Sequence, residues 1–176
     1  YDVRNPYVTL EFQGGEPLLN WEILSFLIEN ARKFNTVGKD LRINLVTNFT
    51  LADDKKMEFL VKHNVGICVS LDGPKKVHDK NRILNDGKGT YDTVVSNIAR
   101  LRKKFNYDVN LLPTITKHSL GNYRQIIDEY VRLGQSEISL RPVNMIGTAC
   151  LNWTSLGYSV DEYNKFYENS LDYILA

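Results

Sequence analysis

Two glycines followed at once by a carboxylate and a proline, Gly14-Gly15-Glu16-Pro17, are the residues of this chain best suited to hold a ligand. Paired glycines leave the main chain bare, so a ligand can approach its amide groups closely. Glu16 adds one negative charge at the same spot. Main-chain acceptors plus one anion suit a cation with several N–H donors, an ammonium above all. On these residues alone, a tight strand-to-helix turn with a solvated glutamate fits equally well. Other polar residues gather at comparable points: Thr47-Asn48, then Ser70 and Asp72 within Ser70-Leu71-Asp72-Gly73-Pro74, then Arg141 and Asn144. Taken singly, each has a plain explanation as turn chemistry or a buried hydroxyl.

No other chemistry is signalled. Cys68 and Cys150 stand far apart, in no metal-ligand or redox spacing, and are expected to be buried thiols. His63 and His118 are expected at the surface. His78, ahead of Arg82, is expected to serve structure rather than a ligand. Nothing suggests a Ser-His-Asp arrangement.

The elements that must position these residues alternate strand and helix to the end. Strands are expected at about 7–12, 41–46, 66–71, 109–115 and 137–140. Helices are expected at about 20–34 with Asn20 as cap, from 53 or 54 to 64, from 90 onward, from 122 to 134, and from 159. The first helix places Leu24, Leu27, Ile28 and Ala31 on one face. Ser159 and Glu162 form a reciprocal capping pair for the last. Lys75 to Gly89 is expected to be a polar loop. The third strand, with Ile67, Cys68, Val69 and Leu71, has the continuous apolar character of a parallel strand covered on both faces. Five βα units in a row imply a parallel sheet with right-handed crossovers, and hence an α/β fold that is a barrel or part of one. The polar residues fall at strand C-terminal ends, which share one rim in such barrels.

Composition narrows the function. The 176 residues are 43% hydrophobic and 24% charged, ordinary for a globular protein, and the net charge of +1 gives no electrostatic case for nucleic acid or a membrane surface. No apolar run approaches the roughly 20 residues of a membrane span. Few cysteines and no signal segment point to the cytoplasm. The sequence opens almost directly into a strand and closes inside a helical pattern, so a piece of a longer protein is expected.

Phe12-Gln13-Gly14-Gly15-Glu16-Pro17, Thr47-Asn48, and Ser70-Leu71-Asp72-Gly73-Pro74 running through Val77-His78-Asp79 to Arg82 together resemble the core of a radical S-adenosylmethionine (SAM) enzyme. The segment from Gly87 to Tyr91-Asp92 fits as well. The similarity is to the anaerobic sulfatase-maturase and peptide-maturase branch and covers nearly the whole chain. It implies a partial (βα) TIM-like barrel of the radical SAM type, of which about five units are present, so that residues 1–176 form a truncated core domain. It implies SAM as cofactor, a [4Fe-4S] cluster in the full-length parent, a peptide or protein substrate, and a flavodoxin or ferredoxin as electron donor. The family's C-x3-C-x2-C cluster motif is absent here, so this chain alone is expected to be inactive and to hold no metal.

By the same resemblance Gly14, Gly15 and Glu16 hold the methionine ammonium and Ser70 meets the ribose. Arg82 meets the methionine carboxylate or holds the loop around it. Asn48 lies near the sugar or methionine, and the main chain at Met145 lies near adenine. Asp72 is expected to order its own turn, and no residue is assigned as the catalytic acid. Two other readings stand beside this one. The first is a cluster-independent (βα) module that binds a small molecule or acts as a lyase. The second is a scaffold that pairs through an open sheet edge.

Overall fold

The computed structural model describes residues 5–176, so the run-in from Tyr1 to Arg4 lies outside the described residues. The elements are β1 (Tyr7–Phe12), α1 (Trp21–Phe34), β2 (Asp40–Thr47), α2 (Asp54–Lys62), β3 (Val65–Ser70), α3 (Lys75–Asn81) and α4 (Tyr91–Phe105). They continue with β4 (Asn110–Leu112), β5 (Thr114–Ile115), α5 (Tyr123–Arg132), β6 (Arg141–Pro142), α6 (Thr148–Leu151), α7 (Trp153–Leu156) and α8 (Val160–Leu175). One sheet has the strand order β1-β2-β3-β4, and β5 and β6 form a separate parallel pair. The described residues pack as two compact units, the residues up to 69 with 94–110, and residues 70–93 with 111–176. Their borders fall inside β3, α4 and β4, where composition does not change. That is why the sequence shows no boundary.

In the first unit β1 pairs in parallel with β2, and β2 with β3, in a register that sets Leu10 against Ile43 and Leu45 against Ile67. Parallel strands are covered by helices on their faces, which selects apolar side chains along their length. Ile43, Leu45, Ile67 and Val69 are accordingly buried, with Leu24 and Ile28 of α1, Met57 and Leu60 of α2, and Ile98 and Leu101 of α4. Each such side chain contributes about 1.5–3 kcal/mol when fully removed from water. Arg32 ties α1 inward, donating to the carbonyls of Leu41 (2.7 Å) and His63 (2.9 Å). Trp21, at the start of α1, meets Phe59 edge-on at 5.2 Å. Helix α1 begins at Trp21 behind a 3-10 turn, and Asn20 makes no side-chain cap. Leu27, expected on the buried face, is 42% exposed.

In the second unit Val77, Ile115, Ile126, Tyr130, Leu140 and Phe166 form the core. Tyr130 donates its hydroxyl to the Leu71 carbonyl at 2.7 Å. Tyr158 donates to the Ile115 carbonyl (2.9 Å) and accepts from the Val143 N–H (3.1 Å), anchoring the segment that leads to Met145. The Ser159–Glu162 capping box forms in full at the start of α8. Trp153 opens α7.

Several expectations are corrected here. The expected polar loop from Lys75 contains α3, a seven-residue helix whose only buried residues are Val77 and His78, too few to show a period. The strand expected at 109–115 is split by Pro113, which has no N–H for the ladder. The strand expected at 137–140 moves to Arg141–Pro142. Near its expected place the Gln135 side chain accepts the Leu111 N–H at 3.2 Å. Cys150 is exposed and Cys68 half-buried, against the expectation of two buried thiols.

Candidate functional site: two carboxylate corners

The first corner lies in the first unit. Strand β1 ends at Phe12, and Gly14 turns the chain with φ +141°, a conformation side-chain-bearing residues rarely adopt. A Cβ built on Gly14 or Gly15 would meet nothing within 4 Å, so the main chain there is open to a ligand. Pro17 begins the 3-10 turn, whose cap is the Glu16 side chain. Glu16 Oε1 accepts from the Leu18 N–H (3.0 Å) and the Thr47 hydroxyl (2.6 Å), and Oε2 accepts from the Asn48 N–H (2.7 Å). Three neutral donors thus hold the carboxylate, and among the described residues no cation pairs with it. With about four acceptor positions on a carboxylate, one remains, on Oε2. Beside this turn lies a cleft of about 190 Å³ lined by Phe12, Gln13, Gly15, Glu16, Pro17 and residues of α1.

Asn48 contributes its main-chain N–H to that corner. Its side-chain oxygen is occupied by the Thr50 N–H (3.0 Å) and hydroxyl (2.8 Å), which closes the local turn.

The second corner lies in the second unit. Asp72 is 1% exposed. Its Oδ1 accepts from Arg82 Nη2 (3.0 Å) and the Thr114 N–H (2.9 Å), and its Oδ2 from Arg82 Nε (2.9 Å) and Asn81 Nδ2 (3.2 Å). The carboxylate is fully subscribed, and the guanidinium engages it in the bidentate geometry that makes such pairs strong. Asp72 therefore does more than order its own turn: it joins the end of β3, helix α3 and strand β5. Gly73 follows with φ +118°, and a Cβ on it would come within 2.7 Å of Ile126. Glycine is required there on both counts.

His78 is buried beneath this corner. Its Nδ1 accepts the Asp72 N–H at 3.2 Å, so the proton sits on Nε2, which faces the Thr90 hydroxyl at 2.9 Å. Burial lowers its pKa from 6.5 to about 4, although the nearby Asp72 charge pulls the other way. It is a neutral, structural histidine, as expected. The Tyr91 hydroxyl, by contrast, is pushed up to about 12 by burial and by its hydrogen bond to Glu129.

Of the remaining expected residues, Ser70 is half-buried at the end of β3, and its hydroxyl bonds to no described residue. Arg82 is turned onto Asp72. Met145 lies in an exposed turn between β6 and α6 and is itself 53% exposed. The structure therefore joins Glu16 to Asn48 and Arg82 to Asp72. Sequence reasoning named Thr47 beside Asn48 without giving it a partner, and passed over Asn81 and Thr114 as members of these corners. Thr47 closes β2 and is buried there.

Comparison with known proteins now identifies the family. The model of the radical SAM superfamily matches residues 1–130, and the chain belongs to that superfamily. It is 29% identical over 173 residues to the cysteine-type anaerobic sulfatase-maturating enzyme of Clostridium perfringens, covering 96% of this chain and 46% of that enzyme. It is 27% identical over 162 residues to the serine-type enzyme of Klebsiella aerogenes, covering 90% and 39%. A solved structure of native anSMEcpe with bound AdoMet and Cp18Cys peptide matches at TM-score 0.83 and 27% identity, over 96% of this chain and 47% of that one. The expected α/β class, a partial (βα) barrel of the radical SAM type, is thereby borne out. The chain spans about half the length of the curated relatives it matches.

The residues fit the two implied groups differently. The open Gly14-Gly15 main chain and the Glu16 carboxylate, which no described cation pairs with, fit the ammonium of SAM. Among the described residues no group of three His, Cys, Asp or Glu could hold a metal. A [4Fe-4S] cluster is not accommodated by Cys68 and Cys150.

Proposed function

We propose that this chain is the SAM-binding part of a radical SAM enzyme that modifies a peptide or protein, of the sulfatase-maturating kind. The observation that carries the proposal is Glu16: a carboxylate fixed by three neutral donors, with no cation paired to it among the described residues, beside two open glycines. Glu16 takes one ammonium N–H on Oε2, and the main chain at Gly14 and Gly15 offers the others. Ser70, with its uncommitted hydroxyl, serves the ribose. Arg82, locked to Asp72, holds the loop beside the methionine carboxylate. Asn48 lines the methionine side, and the main chain at Met145 meets adenine. Bound SAM would, on receiving one electron from a reduced cluster, break at the C5′–S bond into methionine and a 5′-deoxyadenosyl radical able to abstract hydrogen. The cluster must be held by cysteines other than Cys68 and Cys150, so the chain by itself is inactive. A flavodoxin or ferredoxin as electron source and a cytoplasmic setting complete this reading.

Anaerobic calorimetry with SAM tests it. The chain binds SAM, and Glu16→Gln weakens binding at least about tenfold. A wild-type chain that binds no SAM overturns the proposal. Release of 5′-deoxyadenosine by this chain, supplied with iron, sulfide and dithionite, would overturn the assignment of the cluster to other cysteines. SAM bound with no dependence on Glu16 would favour the cluster-independent module instead.

A further inference from the structure

We propose that Thr47 is the positioning residue of the Glu16 corner, acting through a strained loop that Asn97 secures. The inference rests on the functional reading above and deepens it. Thr47 is 2% exposed at the end of β2. Its hydroxyl accepts the Phe49 N–H at 2.9 Å and lies 2.6 Å from Glu16 Oε1. A hydroxyl has one proton. With the Phe49 N–H already directed at the oxygen, and with a carboxylate as the other neighbour, that proton goes to Glu16. The direction of the bond is therefore fixed.

The loop that makes this possible is unusual. Phe49 has φ +58° and is fully buried, a conformation uncommon for a bulky residue. Such a residue persists only where its surroundings over-determine it. Here Asn97, buried on α4, donates Nδ2 to the Phe49 carbonyl at 2.8 Å, and Arg100 donates to the Ala52 carbonyl at 2.6 Å. With Phe49 so held, the Asn48 N–H points at Glu16 Oε2, 2.7 Å away. Thr47 and Asn48 then grip one oxygen each, which leaves the carboxylate a single orientation before any ligand arrives. Preorganisation of this kind raises affinity by removing the cost of ordering the group on binding. The ligand class it serves is a primary ammonium.

The test compares Thr47→Val, close in shape but without the hydroxyl, with Thr47→Ser, which retains it. Two quantities are read: the SAM dissociation constant, and hydrogen exchange at the Asn48 amide, which needs no ligand. Thr47→Val is expected to weaken SAM binding and to speed Asn48 exchange, each by about tenfold or more, with Thr47→Ser within about threefold of wild type in both. If Thr47→Val binds SAM within about twofold of wild type, or Thr47→Ser is as impaired as Thr47→Val, the proposal is wrong. Should Thr47→Val not fold, Asn97→Ser, too short to reach Phe49, must show the same paired losses; fast exchange with unchanged affinity would reject the proposal. A wild-type chain that binds no SAM instead removes the functional reading itself, an outcome separable from failure of the Thr47 assignment.

Discussion

Glu16 and Asp72 are both carboxylates just past the end of a parallel strand, yet they are built for opposite purposes. Asp72 is buried, met by four donor contacts, and neutralised by a guanidinium. Glu16 is part-buried, met by three neutral donors, and has no cation paired with it among the described residues. On the proposed reading, the difference separates a structural ion pair from a receptor for a cation. A carboxylate with every acceptor position filled and its charge cancelled has nothing left to offer. One that is oriented but not neutralised does.

Breaking the second corner should have the largest effect. Arg82→Leu leaves Asp72 buried with its charge uncancelled, and a loss of about 3 kcal/mol is expected in urea denaturation. The matching Glu16→Gln loses one acceptor oxygen facing the donors that hold it, and should cost about 1 kcal/mol of stability, well below Arg82→Leu, while costing SAM affinity. Equal stability losses in the two variants would erase the distinction drawn here.

Acid probes the same corner from beneath. His78 titrates near pH 4 when folded and near 6.5 when unfolded, so the unfolded chain takes up the proton first as pH falls. Its contribution to stability is full above pH 6.5 and is lost progressively down to about pH 4, some 3 kcal/mol in all. His78→Gln should flatten that part of the stability–pH curve. A curve as steep as wild type would mean that other groups govern it.

The smallest effect sharpens the first corner. Gly14→Ala must place a Cβ at φ +141°, where space is ample but the backbone is strained. A stability loss of about 1 kcal/mol is expected by thermal unfolding. A neutral result would show that the turn relaxes without harm.

Much of this was legible in the residues. The βα alternation followed from apolar spacing, and the Ser159–Glu162 capping box formed as its residue types dictate. Gly14-Gly15-Glu16 was legible because bare backbone beside a charge is a local property. What the sequence hid was long-range. Asn97 stands about fifty residues from the Phe49 carbonyl it holds, and nothing near it marks a partner. Asp72 looked like turn chemistry because Asp-Gly-Pro is a turn sequence, and Thr114 lies 42 positions away. Helix α3 was hidden by its brevity, and the break at Pro113 was readable but passed over.

The placement of the two indoles has a practical consequence. Trp21 lies in the first compact unit and Trp153 in the second, and the chain has no others. Replacing either with phenylalanine leaves a single intrinsic fluorophore. The emission of Trp21, packed against Phe59, then reports on the unit that carries Glu16, and that of Trp153 on the unit that carries Asp72. Whether the two corners melt together or in succession becomes an optical measurement that needs no added dye.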